Sequence, residues 1–392
     1  DAYNVAVGYR AGVDISTGIK NVILGGNAGD ALTTGSYNVA LGYDALSAED
    51  AHGKNVAIGY QALVVQNAGS DAYNVAVGFE AGHDLIQGLQ NTLVGGFAGC
   101  KITSAQYNTA LGYQSLAANL IGDNNTALGY FALQNFVADT DGAGHNTAIG
   151  SSSQLNASTG EFNTSLGSLA MGSGVTTGDV NTALGYQAGK ALTSGAANVF
   201  VGGHAGDAIT SGGRNVAMGY AALSTEDAHG RNIAVGHQAL TTQNAGADAY
   251  NVAVGYDAGT AMTSGIKNTI LGGLAGDALT TGVTNIAIGY DALSTEDTGA
   301  GSVAIGAFSL KLQNYNGNAY NVAIGHDTAK SVTTGIENTI IGALAGDALT
   351  TGSYNVALGK GALSTEDVGS RCIAIGYAAL SVQNVDGDVY NT

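Results

Sequence analysis

The sequence predicts an all-β fold, a parallel β-solenoid of about 22 coils that runs as one continuous array over residues 1–392. The first observation is that an Asn followed four residues later by a Gly recurs along the whole chain, as at Asn4 and Gly8. The second is that successive motifs lie 17 residues apart in most coils, with a few steps of 18, 19 or 21. The third is a super-repeat of four coils and 70 residues, as from Asn4 to Asn74. Such short periods are typical of solenoids, in which stacked coils share one core.

Each coil is predicted to contain one short strand that begins just after the Asn. If that Asn is position one, position two is always β-branched and position four is a larger aliphatic residue or Met, as in Val5 and Val7. Alternation with period two indicates a strand that pairs in parallel with its neighbours. We expect positions two and four to form the buried layer, worth roughly 1.5–3 kcal/mol per fully buried side chain before entropy is subtracted. Coils that rise about 4.8 Å each predict a rod on the order of 105 Å with negligible helix.

Two columns of small residues are predicted to shape the coil. Position five is Gly in all 22 complete coils, which predicts a bend at the end of the strand with positive φ or close backbone approach. Position eight is almost always Ala, which predicts a tight internal corner. The glycine column begins with Gly8, Gly25, Gly42, Gly59, Gly78 and Gly95.

Side-chain sizes at positions three and six vary in opposite directions. Ile23 at position three is matched by Gly26 at position six, whereas Ala6 is matched by Tyr9. A close-packed interior accepts exchanges that conserve total volume. We therefore hypothesise that positions three and six share one packing space, which requires Ile23 and its equivalents to lie near the position-six column.

The Asn column predicts a polar ladder along the solenoid. Stacked coils place these side chains about 4.8 Å apart, so each amide can hydrogen-bond to the next coil or cap the adjacent loop. Ser302 and Cys372 take the place of Asn in two coils. The predicted structural ladder consists of Asn4, Asn21, Asn38, Asn55, Asn74, Asn91, Asn108, Asn125, Asn146, Asn163, Asn181, Asn198, Asn215, Asn232, Asn251, Asn268, Asn285, Asn321, Asn338 and Asn355.

The composition disfavours several classes of protein. The chain has 12 basic and 30 acidic residues, and its net charge of −18 disfavours nucleic-acid binding. No apolar run is long enough for a membrane-spanning helix, so we expect the apolar surplus to be buried in the core and against other copies of the chain. Cys100 and Cys372 lie sixteen coils apart, which is too far for a disulfide within one solenoid.

No set of residues indicates catalysis, and we assign no catalytic residue, cofactor or metal ligand. Acidic pairs recur in third coils of the super-repeat; Ca²⁺ binding is considered, but solvated turns are the preferred interpretation. These pairs are Glu49-Asp50, Glu226-Asp227, Glu296-Asp297 and Glu366-Asp367. The seven histidines lack the spacing that zinc needs and are interpreted as surface residues. Thr-Thr-Gly turns such as Thr33 to Gly35 leave an ice-binding solenoid as a lesser alternative, which thermal hysteresis would test.

Three motifs carry a resemblance to a known family: Asn4 to Gly8, Asn125 to Gly129 and Asn285 to Gly289. They resemble the head repeat of YadA-like trimeric autotransporter adhesins and the related arrays of bacteriophage tail fibres, and the resemblance spans the whole chain. It implies a left-handed β-roll that forms a homotrimer and serves as an adhesive or structural fibre at a cell or virion surface. The self-associated chain is expected to bind a host surface or matrix ligand that the sequence does not identify. A phage tail-fibre shaft is the alternative, which longer flanking sequence would distinguish.

Both ends of the sequence fall at the same phase of the super-repeat. The chain opens with Asp1 to Asn4 and closes with Asp388 to Asn391. A solenoid end without a divergent coil exposes unpaired strand groups. We therefore expect either a longer array or end-to-end stacking, in which Asn391 of one molecule continues the ladder into Asn4 of the next.

Overall fold

A computed structural model describes residues 2–391, in which every regular element is a β-strand. The chain divides into two compact units, Asp1–Ala197 and Asn198–Thr392, and each unit is a parallel β-solenoid. Together the units carry 22 strands of three residues, one per coil. The described residues contain no helix, and hence none that could cross a lipid bilayer. The predicted all-β solenoid with its 17-residue spacing is confirmed.

All strands occupy positions two to four of their coils. In the first unit they are β1 Val5–Val7, β2 Val22–Leu24, β3 Val39–Leu41, β4 Val56–Ile58, β5 Val75–Val77, β6 Thr92–Val94, β7 Thr109–Leu111, β8 Thr126–Leu128, β9 Thr147–Ile149, β10 Thr164–Leu166 and β11 Thr182–Leu184. In the second they are β12 Val199–Val201, β13 Val216–Met218, β14 Ile233–Val235, β15 Val252–Val254, β16 Thr269–Leu271, β17 Ile286–Ile288, β18 Val303–Ile305, β19 Val322–Ile324, β20 Thr339–Ile341, β21 Val356–Leu358 and β22 Ile373–Ile375.

Within each unit every strand pairs in parallel with the next strand in the chain, at the same register. Val5 of β1 lies opposite Val22 of β2, and in the second unit Val216 of β13 lies opposite Ile233 of β14. The register is kept across the longest step, where Thr126 of β8 lies opposite Thr147 of β9. Extra residues therefore lie in the loops and leave the strand column unchanged.

The inward face of the strands is the opposite of the one we predicted. Position three is buried in every coil from β2 to β22, whereas positions two and four are half-buried or exposed. In β2, for example, Val22 and Leu24 are 42% and 46% exposed, and Ile23 between them is fully buried. Side chains alternate between the two faces of a strand, so only one residue of a three-residue strand can point inward. The larger side chains at positions two and four point outward.

Most of the core comes from the second half of the coil, at positions eight, nine and twelve. Ala28 and Leu32 of the second coil are fully buried, as are Ala45 and Leu46 of the third. Position eight is buried throughout coils two to twenty-one, which agrees with the predicted tight corner. The solenoid interior is narrow, and Ala suffices at position three in most coils because Leu fills the opposite wall.

The hypothesis that positions three and six share a packing space is wrong. Ile23 points into the core, whereas a Cβ placed on Gly26 would lie 3.3 Å from the exposed ring of Tyr43 in the next coil. A Cβ on Gly29, at position nine, would instead lie 3.3 Å from Cδ1 of Ile23. A Cβ on Gly12, at position nine of the preceding coil, would lie 3.0 Å from the same atom.

Volume is therefore exchanged between positions three and nine. Ile23 and Phe200 at position three occur with Gly at position nine, and Ala40 occurs with Leu46. The clearest case is Gly206, where an added Cβ would lie 2.5 Å from the ring of Phe200. A large residue at position three thus requires glycine where other coils carry leucine.

The position-five glycines have the conformation and the close approach that the sequence predicted. At Gly112 φ is 145°, which side chains rarely adopt, and an added Cβ would lie 2.3 Å from the carbonyl oxygen of Gly129 in the next coil. The amide of Gly112 donates to the carbonyl of Val94 at 2.8 Å. Glycine is therefore needed both for the bend and for the inter-coil spacing.

Candidate functional site

The predicted Asn ladder is present in both units, and it links side chains mainly to backbone. Oδ1 of Asn21 accepts the backbone N–H of Asn38 at 2.9 Å, and Nδ2 of Asn21 donates to the carbonyl of Gly35 at 2.9 Å. One side-chain amide therefore serves the next coil and the last loop of its own coil. Direct amide-to-amide bonds supplement this pattern in places, as from Nδ2 of Asn91 to Oδ1 of Asn74 at 3.3 Å. The ladder is buried and structural.

Coils that lack the Asn keep half of this arrangement. The N–H groups of Ser302 and Cys372 still donate to the preceding Asn side chains, at 3.0 and 2.9 Å. In one of these coils Nε2 of Gln313, at position twelve, donates to Oγ of Ser302 at 2.8 Å. Glutamine is also found at position twelve in coils that keep the Asn, such as Gln66 in the coil of Asn55, so this bond is a local contact of Ser302.

A continuous exposed surface of each unit is the strand face made by positions two and four, which we call the outward face. It contains only Val, Thr, Ile, Leu and Met, and no charged residue. Leu111, Leu166 and Ile233 are 45%, 51% and 40% exposed. We predicted that these side chains lie in the core because position two is always β-branched and position four is always a larger aliphatic residue or Met.

An aromatic column follows the outward face at position six. In the first unit the rings of Tyr43 and Tyr60 stack with centroids 5.8 Å apart, and Tyr60 stacks on Phe79 at 5.0 Å. Position six is Gly in the next coil, and Phe97 at position seven bridges the gap, 5.2 Å from Phe79 and 5.9 Å from Tyr113. These rings are about half exposed, so the column extends the apolar surface beyond the strands.

A second aromatic column precedes the Asn, and basic residues are clamped against it. Nζ of Lys54 lies 2.7 Å from the hydroxyl oxygen of Tyr73 and 2.7 Å from a carboxylate oxygen of Asp71 in the next coil. This hydrogen bond to Lys54 lowers the pKa of Asp71 and raises that of the lysine. Arg231 makes the same contacts with Asp248 and Tyr250 in the second unit. These basic groups are neutralised at the edge of the outward face.

The acidic pairs are not the solvated turns that we predicted, because the glutamates are fully buried. Each glutamate occupies position twelve, which is Leu32 or Leu279 in other coils, so it points into the core. Burial raises the pKa of Glu49 and Glu226, partly offset by backbone N–H groups that donate to their carboxylates. Of the adjacent aspartates, Asp50 and Asp227 are exposed, whereas Asp297 and Asp367 are half-buried. An alignment of the coils would have revealed this placement, since an apolar column contains these acids.

The remaining candidates take part in local contacts. The first Thr of several Thr-Thr-Gly turns donates its hydroxyl to a carbonyl of the next coil, as Thr33 does to Asp50 at 2.9 Å. This uses the hydroxyl proton that an ice-binding array would present to water. Four histidines lie beside aspartates, including His83, whose Nδ1 is 2.5 Å from Asp84. Both cysteines are free thiols whose pKa is raised by burial.

In residues 2–391, groups of three potential metal-ligating side chains occur at two places. They are Glu49 with Asp50 and His52, and Glu226 with Asp227 and His229. In each group the possible ligand atoms lie within 4.8 Å of one another. The spacing Glu-Asp-x-His, present at Glu49 and Glu226, is the sequence signal that joins the acids to the histidines.

By its fold the protein is a parallel β-solenoid with an apolar outward face and an internal Asn ladder. The chain matches no protein-family model and no curated protein sequence.

Proposed function

We propose that this protein is a non-catalytic extracellular fibre protein, structural or adhesive, whose copies associate through the outward face. The observation that carries the proposal is the exposure of an uncharged stripe of aliphatic residues, Met and Thr along every strand of each unit. Burial of apolar surface is the main driving force of protein association. A stripe of this kind is a favourable contact for a second copy of the same solenoid, which presents the same repeat at the same spacing.

The size of the stripe supports association. With strands about 4.8 Å apart and three residues of about 3.3 Å each, the strands of one unit expose a stripe of roughly 500 Å². The largest apolar patch on a typical monomer is about 300–600 Å², and a stable interface buries about 800 Å² per partner. The two aromatic columns widen the surface towards that value.

The distribution of charge also favours association through the outward face. The chain carries a net charge of −18, so most pairs of surfaces on two copies repel each other. The outward face is free of charged side chains, and Lys54 and Arg231 at its edge are paired with aspartates. Copies that meet through this face keep their charged loops apart. A parallel homotrimer, the arrangement that the family resemblance implies, satisfies this condition.

Light scattering coupled to size-exclusion chromatography tests the association. We expect the wild-type chain to be a trimer at micromolar concentration, and a Val75→Lys, Leu111→Lys double variant to be a monomer, because both side chains lie on the outward face. The matched control is Asn67→Lys, in an exposed loop of the same unit, which should remain trimeric. A wild-type monomer would refute the proposed association.

Adhesion is tested separately with a quartz microbalance that carries methyl-terminated or hydroxyl-terminated surfaces. If the fibre is adhesive, the trimeric wild type should be retained on at least one of the surfaces after washing. The Asn67→Lys control should be retained equally. If neither surface retains the trimer, the adhesive form of the proposal is refuted, and a structural fibre remains.

A further inference from the structure

Two of the four buried glutamates have a histidine three residues later. Oε1 of Glu49 accepts the backbone N–H of His52 at 3.0 Å, and Nδ1 of His52 lies 3.7 Å from the same oxygen. Glu226 and His229 repeat this geometry at 3.1 and 3.7 Å. The arrangement is thus built twice, once in each unit.

In each site the second carboxylate oxygen and the Nδ1 atom of the histidine have no hydrogen-bond partner. Oε2 of Glu49 and Nδ1 of His52 are buried atoms without a hydrogen-bond partner among the described residues, and so are the same atoms of Glu226 and His229. The glutamate side chains are completely buried. A buried carboxylate oxygen without a partner is costly, because it has lost its hydration and gained no hydrogen bond in exchange. In both sites the described residues of the protein therefore leave one carboxylate oxygen and one imidazole nitrogen without a hydrogen bond.

The other two glutamates show how the same loop is completed when histidine is absent. Gly299 stands where His52 stands, and an added Cβ there would lie 2.4 Å from Cδ of Glu296, so the carboxylate fills the space that a side chain would take. Oε2 of Glu296 then accepts Nε2 of Gln313 at 2.9 Å. Glu366 has the equivalent bond from Gln383 at 3.2 Å.

The equivalent glutamine of the first site is engaged elsewhere. Gln66 donates to the carbonyl of Ile86 at 3.2 Å and accepts Nδ2 of Asn74 at 2.9 Å. The coils with histidine thus lack the internal partner that the coils with glycine have. In the second unit Gln243 likewise donates to the carbonyl of Gly265 and not to Glu226, whereas Gln383 donates to Glu366.

We propose that Glu49, Asp50 and His52 bind one first-row divalent transition-metal ion, with Zn²⁺ as the reference case, and that Glu226, Asp227 and His229 bind a second. Carboxylate oxygen and imidazole nitrogen are ligands that such ions accept, and three protein ligands leave a coordination position for water. The bound ion neutralises the buried carboxylate and fixes the loop that closes the coil. Its ligands come from four consecutive residues, so the site does not depend on association between copies.

The test is metal binding by the untagged full chain after chelator treatment, measured by calorimetry with Zn²⁺ and by visible absorption with Co²⁺ at neutral pH. We expect two equivalents per chain. The His52→Gly, His229→Gly double variant should bind none, because glycine at this position lets the glutamate reach its glutamine, as in the coil of Gly299. Each single variant should retain one equivalent. Zn²⁺ should raise the melting temperature of the wild type and not that of the double variant.

The control variant is His326→Ala, which removes an exposed histidine beside Asp327 and should leave two equivalents. Two results would overturn the proposal. One is failure of the wild type to bind Zn²⁺ tighter than ~100 µM. The other is unchanged stoichiometry in the double variant, which would assign the binding to surface histidines and leave the buried glutamates to a proton or a water molecule.

Discussion

Replacing Gly112 with Ala tests whether the position-five glycines set the spacing between coils. The added Cβ would lie 2.3 Å from the carbonyl oxygen of Gly129, so the two coils must separate by about 1 Å to restore van der Waals contact. This movement stretches the hydrogen bonds from Gly129 to Leu111 and from Thr109 to Asn125, which join these two coils and are both 2.8 Å long, beyond bonding distance.

The expected loss follows from these contacts. Two backbone hydrogen bonds contribute about 1 kcal/mol each, and the backbone conformation at φ 145° costs a residue with a side chain about 1–3 kcal/mol. The free energy of local opening around Gly112 should therefore fall by about 3–5 kcal/mol. The matched control is Gly69→Ala. Gly69 also has positive φ, 69°, but no atom lies within 4 Å of an added Cβ, so only about 1–2 kcal/mol of backbone strain is expected.

Hydrogen exchange measured by mass spectrometry is the appropriate assay, because unfolding of a long repeat array is not a single two-state step. Amides in the peptide from Val94 to Gly129 should exchange more than ~100-fold faster in Gly112→Ala than in the wild type. If Gly112→Ala accelerates exchange in its own coil no more than Gly69→Ala does in its loop, the position-five glycines do not set the spacing between coils.

Three further predictions concern the interior. Asn108→Ala removes the acceptor of the next ladder N–H and the donor to one loop carbonyl, so it should lower the free energy of local opening, measured by hydrogen exchange, by about 2–5 kcal/mol, whereas Asn67→Ala, in an exposed loop, should change it by less than ~0.5 kcal/mol. In a double-mutant cycle, Phe200→Ala with Gly206→Leu should cost at least ~1 kcal/mol less than the sum of the single changes; additivity would contradict the exchange of volume between positions three and nine. Burial raises the pKa of Asp277, so its protonated form favours the fold, and that contribution is present at low pH and lost as pH rises through the folded pKa. Asp277→Asn should therefore raise the melting temperature at neutral pH and have little effect at about pH 3. An equal change in melting temperature at the two pH values would contradict the predicted direction of the pH dependence.

The repeat itself made most of the fold predictable. A motif that recurs 22 times shows which positions tolerate no change, and Gly at position five and Ala at position eight have the predicted roles. The inward face was mispredicted because a strand of three residues gives too little alternation to orient it. Both faces are apolar, and in most coils the larger residues, such as Val39 and Leu41, lie outside while an alanine such as Ala40 lies inside.

The candidate sites were harder to predict, because they depend on contacts between coils. Position six varies in size with position three, yet the physical partner of Ile23 is Gly29, six residues later. The sizes at positions three and six vary together because the second coil of each super-repeat has both a large residue at position three and a small residue at position six. Glu49 was taken for a surface residue because acids seldom lie in a core, and only its place in the Leu32 column indicates burial.

The pairing of large residues with glycine has a consequence for how such a gene changes length. Ile270 lies against Gly276 of its own coil and Gly259 of the coil before it, where added Cβ atoms would be 3.3 and 3.0 Å away. Loss of that preceding coil alone would put Leu240 in the place of Gly259, against Ile270. Recombination between repeats is therefore tolerated best when it adds or removes 70 codons at a time, so that each coil type keeps its neighbour. We expect length variants of this protein to differ by whole four-coil blocks.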